Sequence, residues 1–297
     1  MKIIDTKSDL GFKKVFGEKP HLLMSLLNNL LPLPYPIVSI QYLSPEIVPD
    51  MHDGKNSIVD VRCTDNHGRH FIVEMQVGSQ LGFIKRVLMN TTKVYSRQLL
   101  KNTHFSTSQT VYSLNILDYR FNLDEEEWYH HYAFTNRKNQ NDHWEDIQII
   151  MIELPKWKKL GKFDLSNPKD RWLMYFTEPN AFDRHLTQEE RDRYNEVYEA
   201  IEELKTKNFT PEQLLGYELY IDGVRQYVTT MDLVRQEGIQ EGLGKGKEEG
   251  RQEGRQEGIS TSLQIIEALK KQEETPEEIA LRFNTNLEIV LRLQSLI

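Results

Sequence analysis

The feature that most constrains this chain is a pair of alternating segments. Residues 57–64 and 70–77 alternate apolar and polar side chains, and Asp-Asn-His-Gly-Arg at 65–69 separates them. A period of two is typical of a half-buried strand, and asparagine, aspartate and glycine favour turns. The sequence therefore predicts an antiparallel β-hairpin.

The two faces of this hairpin differ in chemistry. Alternate residues of a strand share a face, and one predicted face is wholly apolar. Its members are Val59, Val61, Cys63, Phe71, Val73, Met75 and Val77. A five-residue turn pairs Thr64 with His70, which sets Asp60 across from Glu74 on the other face. A slip of one residue would mix the faces, so burial of the apolar set favours this register.

Asp60 and Glu74 are the candidate metal ligands. Opposed residues have Cβ atoms roughly 4.5–5.5 Å apart, which lets two carboxylates share a divalent cation but makes them repel without one. Mg²⁺ held by Asp60, Glu74 and the backbone carbonyl of Met75 would lower the pKa of a water and neutralise charge on a phosphate. The alternative is an ordinary solvated sheet face on which Arg62 neutralises the pair.

Helices and further strands surround the hairpin. Residues 9–31 are predicted helical, with Asp9 as cap, and residues 111–117, 129–134 and 147–154 are predicted strands that enlarge the sheet. Residues 83–101 form the clearest predicted helix, followed by a helical pattern over 170–234. One stripe of the 83–101 helix carries Arg86, Asn90, Lys93, Arg97 and Lys101. That stripe could follow DNA phosphates, or it could be a solvated helix face.

Net charge does not exclude a nucleic-acid partner. The chain of 297 residues has a net charge of −8, but residues 1–110 hold 13 basic and 9 acidic side chains against 24 and 36 in the remainder. The front third is thus the basic part. Cys63 is the only cysteine and no apolar segment is long enough for a signal or a membrane span, so we expect a cytoplasmic protein without membrane contact.

The tail contains a four-residue repeat, with glycine at 238, 242, 246, 250, 254 and 258. On a helix the glycine row is flanked by a basic row and an acidic row. Residues 236–258 could therefore form a parallel homodimer with close backbone approach, or a flexible charged linker. Residues 261–297 are predicted to form short helices, starting with a capping box at Thr275–Glu278. Their 4 basic and 6 acidic side chains favour docking or oligomerisation over a DNA-reading helix-turn-helix.

Several motifs occur in a specific order. They are DLGFKKVFG at 9–17, Lys55 with IVDV at 58–61, the Gly68 turn, VEMQ at 73–76, Arg86 with Tyr95, IELPKW at 152–157, and the glycine-glutamate tail. Together they resemble the PD-(D/E)XK nuclease fold, and specifically the Rpn family of recombination-promoting nucleases and putative transposases. The resemblance covers most of the chain.

This resemblance implies an α/β fold with a restriction-endonuclease-like core, a mixed central sheet flanked by helices, and an α-helical C-terminal region. We place the nuclease-like domain at 1–160, a helical region at 161–235, the repeat at 236–260 and the small helical tail at 261–297.

The resemblance also implies a DNA endonuclease that depends on Mg²⁺, with Mn²⁺ as a substitute, linked to recombination or mobile elements. Asp60 and Glu74 would be its ligands and Gln76 the third catalytic residue. Lysine is usual at the position of Gln76, so Lys55 or Arg86 would supply the missing charge. The alternative is a catalytically weak or inactive DNA-binding or assembly protein of the same fold.

Overall fold

A computed structural model describes residues 3–47, 56–79, 81–99, 104–184 and 187–297. The described strands are β1 (Ile40–Tyr42), β2 (Glu46–Ile47), β3 (Ser57–Ile58), β4 (Val61–Asp65), β5 (His70–Gln76), β6 (Val111–Leu117), β7 (Tyr129–Asn136) and β8 (Asn139–Glu153). Six of them form a central mixed sheet in the order β1-β4-β5-β6-β8-β7. In this sheet β5, β6 and β8 are parallel to one another, and the remaining neighbours are antiparallel.

The hairpin of β4 and β5 has the predicted register, with Thr64 opposite His70 and Val61 opposite Val73. The prediction of one continuous strand over 57–64 is wrong. Strand β3 pairs instead with β2 in a separate two-stranded sheet, and β4 begins only at Val61. Val59 was predicted to face the same core as Val61, but it packs with Ile72 on the opposite side. The break in the strand reverses the alternation there.

The N-terminal helices cover one face of the sheet. They are α1 (Asp9–Phe12), a π-helical turn (Lys13–Gly17) and α2 (Pro20–Leu30). Phe12 and Phe16 are fully buried in the main core, which also contains Val73 and Leu114 of the sheet. Ser8 caps α1 through a hydrogen bond from the amide of Gly11, so the prediction of an Asp9 cap is wrong by one residue.

Helix α3 (Phe83–Ser96) covers the other face. Val87 packs there with Leu117 and Ile149. The predicted extension of this helix to 101 is wrong, since Arg97 is its C-cap residue. Lys101 lies outside the described residues.

The chain then continues through mainly helical segments after the sheet. They are α4 (Leu154–Lys159), α5 (Pro168–Thr177), α6 (Ala181–Arg184), α7 (Gln188–Arg193) and α8 (Asn195–Glu203), followed by a short 3-10 turn at Thr206–Asn208. Another 3-10 turn, Phe105–Thr107, lies between α3 and β6. Helix α5 contributes Trp172 and Phe176 to the main core, where both contact Phe16.

A buried ionic cluster joins β8 to α4. The Glu153 carboxylate accepts a hydrogen bond from Lys156 Nζ at 2.7 Å and another from the backbone amide of Phe121 at 2.6 Å. His130 Nε2 lies 2.8 Å from the same carboxylate. The side chains of Glu153 and Lys156 are 0% and 1% exposed, so each charge depends on the other for compensation.

The C-terminal part is built from α9 (Pro211–Lys271), α10 (Pro276–Arg282) and α11 (Leu287–Gln294). The glycine repeat lies within α9. The predicted capping box at Thr275 and Glu278 is present at the start of α10. Two compact units divide the chain between Glu218 and Leu219. The predicted boundaries near 160 and 235 stay predictions. Among the described helices, none is long and apolar enough to cross a membrane.

Candidate active site

Asp60 lies in the short link between β3 and β4, directly before the strand that pairs with β5. Its Oδ2 atom accepts a hydrogen bond of 2.7 Å from the backbone amide of Met75. Because β4 and β5 are antiparallel and Val61 is opposite Val73, the same register continued by one residue sets Asp60 beside Glu74. The structure thus brings Asp60 and Glu74 to the same end of the hairpin.

Two side chains of α3 hold the carboxylate of Glu74, which is 6% exposed. Arg86 Nη2 lies 3.2 Å from Oε2, and Asn90 Nδ2 donates to Oε1 at 3.4 Å. Arg86 and Asn90 are four residues apart and therefore project from the same side of the helix. Helix α3 fixes the orientation of Glu74 at both of its oxygens.

Burial dominates the electrostatics of the acidic pair. It raises the pKa of Asp60, although the hydrogen bond from Met75 acts in the opposite direction. Burial also raises the pKa of Glu74, and the charge of Asp60 raises it further, whereas Arg86 lowers it. The charged form of both carboxylates is therefore less stable in this site than it would be in water, and a bound cation would stabilise it.

Gln76 is held by the same arginine. Arg86 Nη2 donates to Gln76 Oε1 at 2.8 Å, and Gln76 Nε2 donates to the carbonyl of Gly78 at 3.2 Å. The amide is 7% exposed and has a fixed orientation. An amide can orient a polar ligand but adds no charge, whereas the Arg86 guanidinium that binds it is positively charged.

The residues at this site fit a divalent cation. Asp60 and Glu74 offer hard oxygen donors, which suit Mg²⁺ or Mn²⁺. The amide of Met75 points to Asp60, and the N–H and C=O groups of a strand residue point to the same side, so the Met75 carbonyl also faces that side. In the part of the chain that the structure describes, no three acidic, histidine or cysteine side chains cluster as metal ligands. This is compatible with Mg²⁺, which takes one or two carboxylates and keeps several waters.

The other predicted site residues lie farther along α3 or outside the description. Lys93 is in the last turn of α3 and Arg97 caps its end. Burial lowers the pKa of Arg62 on β4, and the charge of Arg97 lowers it further. Lys55 lies outside the described residues.

The structure adds three polar residues that sequence reasoning did not assign to the site. Asn90 was seen only as one member of a stripe, although its spacing of four residues from Arg86 was a usable signal. Burial is the main cause of the raised pKa of Asp60, and of the more distant charges, that of Asp9 raises this pKa and that of Lys13 lowers it. Both belong to the motif at 9–17, whose position relative to the hairpin was not readable from spacing.

A six-stranded mixed sheet flanked by helices is consistent with the fold class of the PD-(D/E)XK nucleases. The profile of the PD-(D/E)XK nuclease family transposases matches residues 6–221, and the chain belongs to that family. The predicted family and fold class are therefore confirmed. No significant match was found among curated proteins or solved structures. PD-(D/E)XK nucleases generally use divalent metal ions.

Proposed function

We propose that this protein is a metal-dependent DNA endonuclease that hydrolyses phosphodiester bonds, with Mg²⁺ as its ion and Mn²⁺ as a substitute. One observation carries the proposal: the half-buried Asp60 and the buried Glu74 lie at adjoining strand ends, where burial raises the pKa of both carboxyls and the charge of Asp60 raises that of Glu74 further. Such an arrangement is unfavourable for folding unless a cation compensates it. Membership of the PD-(D/E)XK nuclease family transposases supports it, and the word transposase in that family's description supports a role in recombination or mobile elements.

When bound, a divalent cation supplies Lewis acidity for activating water and neutralising phosphate charge. Asp60, Glu74 and the carbonyl of Met75 are the groups that would hold it. Asn90 keeps one oxygen of Glu74 in place, and Arg86 links the other oxygen to Gln76. Because Arg86 is 35% exposed at its side chain, it can also reach a phosphate from this position.

DNA would approach along the outer side of α3. An open groove of about 560 Å³ lies beside Arg86, between residues 56–58 and the first half of that helix. Lys85 adds a second cation to its wall. Lys93, Arg97 and Lys55 are further candidates for phosphate contacts. Replacing Lys93 and Arg97 together should flatten the salt dependence of DNA binding, and an unchanged slope would remove them from the interface.

The direct test is cleavage of plasmid and linear DNA by the full chain in Mg²⁺ and in EDTA. We expect cleavage only with the metal, and a loss of about 1,000-fold or more in Asp60→Asn and Glu74→Gln. Glu127→Gln, at an exposed acid, is the control and should cut like the parent. DNA binding by the parent without metal-dependent cleavage would instead identify a catalytically weak or inactive binding or assembly protein.

We also propose that residues 236–258 mediate a parallel homodimer. They lie within α9, and a Cβ atom built at Gly246, Gly250 or Gly254 meets nothing within 4 Å. The row of glycines therefore presents bare backbone to which a second helix could approach closely. A parallel partner would place basic residues opposite acidic ones.

A further inference from the structure

Asn90 of α3 is a buried amide of which only one end is used. Its Nδ2 atom donates to Glu74 Oε1 at 3.4 Å, whereas its Oδ1 atom accepts no hydrogen bond from any residue that the structure describes. The side chain is 0% exposed, so bulk water does not reach this oxygen. A buried amide oxygen without a partner is unfavourable, and a bound ion or water is one group that resolves it.

The position of Asn90 on α3 is one that packing alone would fill with an apolar residue. Val87 and Val94, three residues before and four residues after it, are buried on the inner side of the helix. Val87 packs with Leu117 of β6, and Val94 packs with Ile72 of β5. An apolar side chain between them would leave no oxygen unpaired, so packing does not account for an asparagine here.

The sheet beneath α3 repeats this feature beside Glu74. Asn115 of β6 is the parallel partner of Glu74 and is also 0% exposed. Its Nδ2 atom donates to the Ser113 hydroxyl at 3.0 Å and to the carbonyl of Ile150 at 3.2 Å, but its Oδ1 atom has no partner. Among the buried side chains that the structure describes, Asn90 and Asn115 are the two amides with an unpaired oxygen. Unpaired oxygens are thus concentrated around one carboxylate, an environment that favours a cation.

We propose that Asn90 supplies its side-chain oxygen as a further ligand of the divalent cation that Asp60 and Glu74 would hold. The inference rests on the proposed metal site and adds a neutral donor to it. Amide oxygens are hard donors, as carboxylates are, and suit Mg²⁺ or Mn²⁺. A neutral ligand completes the site without a third negative charge, in agreement with the lack of a three-acid cluster in the described part of the chain.

The competing role of Asn90 is to hold Glu74 through its Nδ2 atom and nothing more. The two roles predict opposite effects of removing the amide. A group that only donates to Glu74 competes with a cation for that carboxylate, so its removal should tighten Mg²⁺ binding, as we expect for Arg86→Ala. A group that binds the cation should weaken Mg²⁺ binding when it is removed.

The test is a calorimetric titration of Mg²⁺ into the full chain without DNA. Asn90→Leu keeps a side chain of similar size and removes both polar atoms, and we expect its Mg²⁺ affinity to fall about 10- to 100-fold. Asn90→Asp keeps an oxygen and should bind at least as tightly as the parent. Thr91→Val is the matched control, because Thr91 is equally buried but its hydroxyl donates to the carbonyl of Val87 at 2.7 Å. It should bind Mg²⁺ like the parent.

Thermal melts in EDTA verify that each variant is folded, and Asn90→Ala replaces Asn90→Leu if the latter does not fold. Unchanged or tighter Mg²⁺ binding in the folded variant would overturn the proposal, and so would a parent that binds no Mg²⁺. Because the titration contains no DNA, it also separates this inference from the nuclease function. If the parent binds Mg²⁺ but cuts no DNA, the nuclease function fails while the affinity of Asn90→Leu still decides whether Asn90 holds the ion.

Discussion

The carboxylate of Asp60 accepts a hydrogen bond of 2.7 Å from the backbone amide of Met75. The ladder between β4 and β5 ends at the Val61–Val73 pair, and this bond joins Asp60, one residue before Val61, to Met75, two residues after Val73. The side chain of Asp60 takes the place of a main-chain partner for β5. The position of the acid is thus set by the strand that carries Glu74, and the two carboxylates stay together.

The raised pKa values of Asp60 and Glu74 predict a specific pH dependence of stability. The ordinary pKa values are 3.8 and 4.5, and folding raises both. The folded state therefore binds these protons more tightly than the unfolded state, and stability is lost as pH rises from those values through the folded pKa values. Urea unfolding in EDTA between pH 4 and 8 should show this fall, with a gentler fall in Asp60→Asn.

Mg²⁺ should oppose that loss. A cation between two ionised carboxylates stabilises the folded state by mass action, so the melting temperature at pH 7.5 should rise with Mg²⁺ in the parent and much less in Asp60→Asn. An equal rise in the two proteins would place the ion elsewhere.

Arg86 should compensate the charge of Glu74 in the absence of metal. Arg86→Ala leaves a buried carboxylate without its nearest cation, and because Arg86 is partly exposed we expect a cost of about 1–2 kcal/mol in the free energy of unfolding in EDTA. Mg²⁺ should stabilise the variant more than the parent, since it no longer competes with the guanidinium for Glu74. Urea unfolding with and without Mg²⁺ measures both effects.

The control for this prediction is Lys85→Ala, at the exposed neighbouring position. It should behave like the parent in both conditions. The same Mg²⁺ increment in Arg86→Ala and the parent would mean that the arginine and the ion do not share Glu74.

The hairpin register was predictable from sequence because burial and turn length both select it. A slip of one residue would expose Phe71 and Val73. The five-residue turn independently pairs Thr64 with His70, which fixes the same register. The break at Val59 was not predictable in this way. Its alternation is intact in the sequence, and only the separate pairing of β3 with β2 reveals the reversal.

The site was predictable only in part, for a similar reason. The approach of Asp60 to Glu74 follows from local strand geometry, which the alternation of apolar residues and the turn length predict. The contact of Asn90 with Glu74 depends on how α3 lies across the sheet. Such long-range placements are set by packing of the whole core, which no spacing encodes.

The ionic cluster at the end of β8 should matter for stability. Lys156→Met leaves Glu153 buried and uncompensated, and breaking such a pair typically costs about 3–5 kcal/mol. The exposed pair of Lys159 and Glu126 provides the control, because Lys159→Met should give no measurable change in urea unfolding. Similar midpoints for the two variants would show that Glu153 is neutralised by other groups, His130 among them.

Replacing glycines of the repeat tests the dimer proposal most sharply. Apart from the adjacent backbone of its own helix, a Cβ atom at Gly246, Gly250 or Gly254 meets nothing within 4 Å, so alanine should favour an isolated helix by about 1 kcal/mol at each position. In a dimer held by close backbone approach, the same three methyl groups would force the helices apart. We therefore expect light scattering to give a dimer mass for the parent and a monomer mass for the triple variant.

Gly223→Ala, in α9 but outside the repeat, should stay dimeric, and removal of residues 236–297 should give a monomer. Equal masses for the parent and the truncated chain would reject the repeat as a dimerisation element, because the oligomeric state would then not depend on residues 236–297.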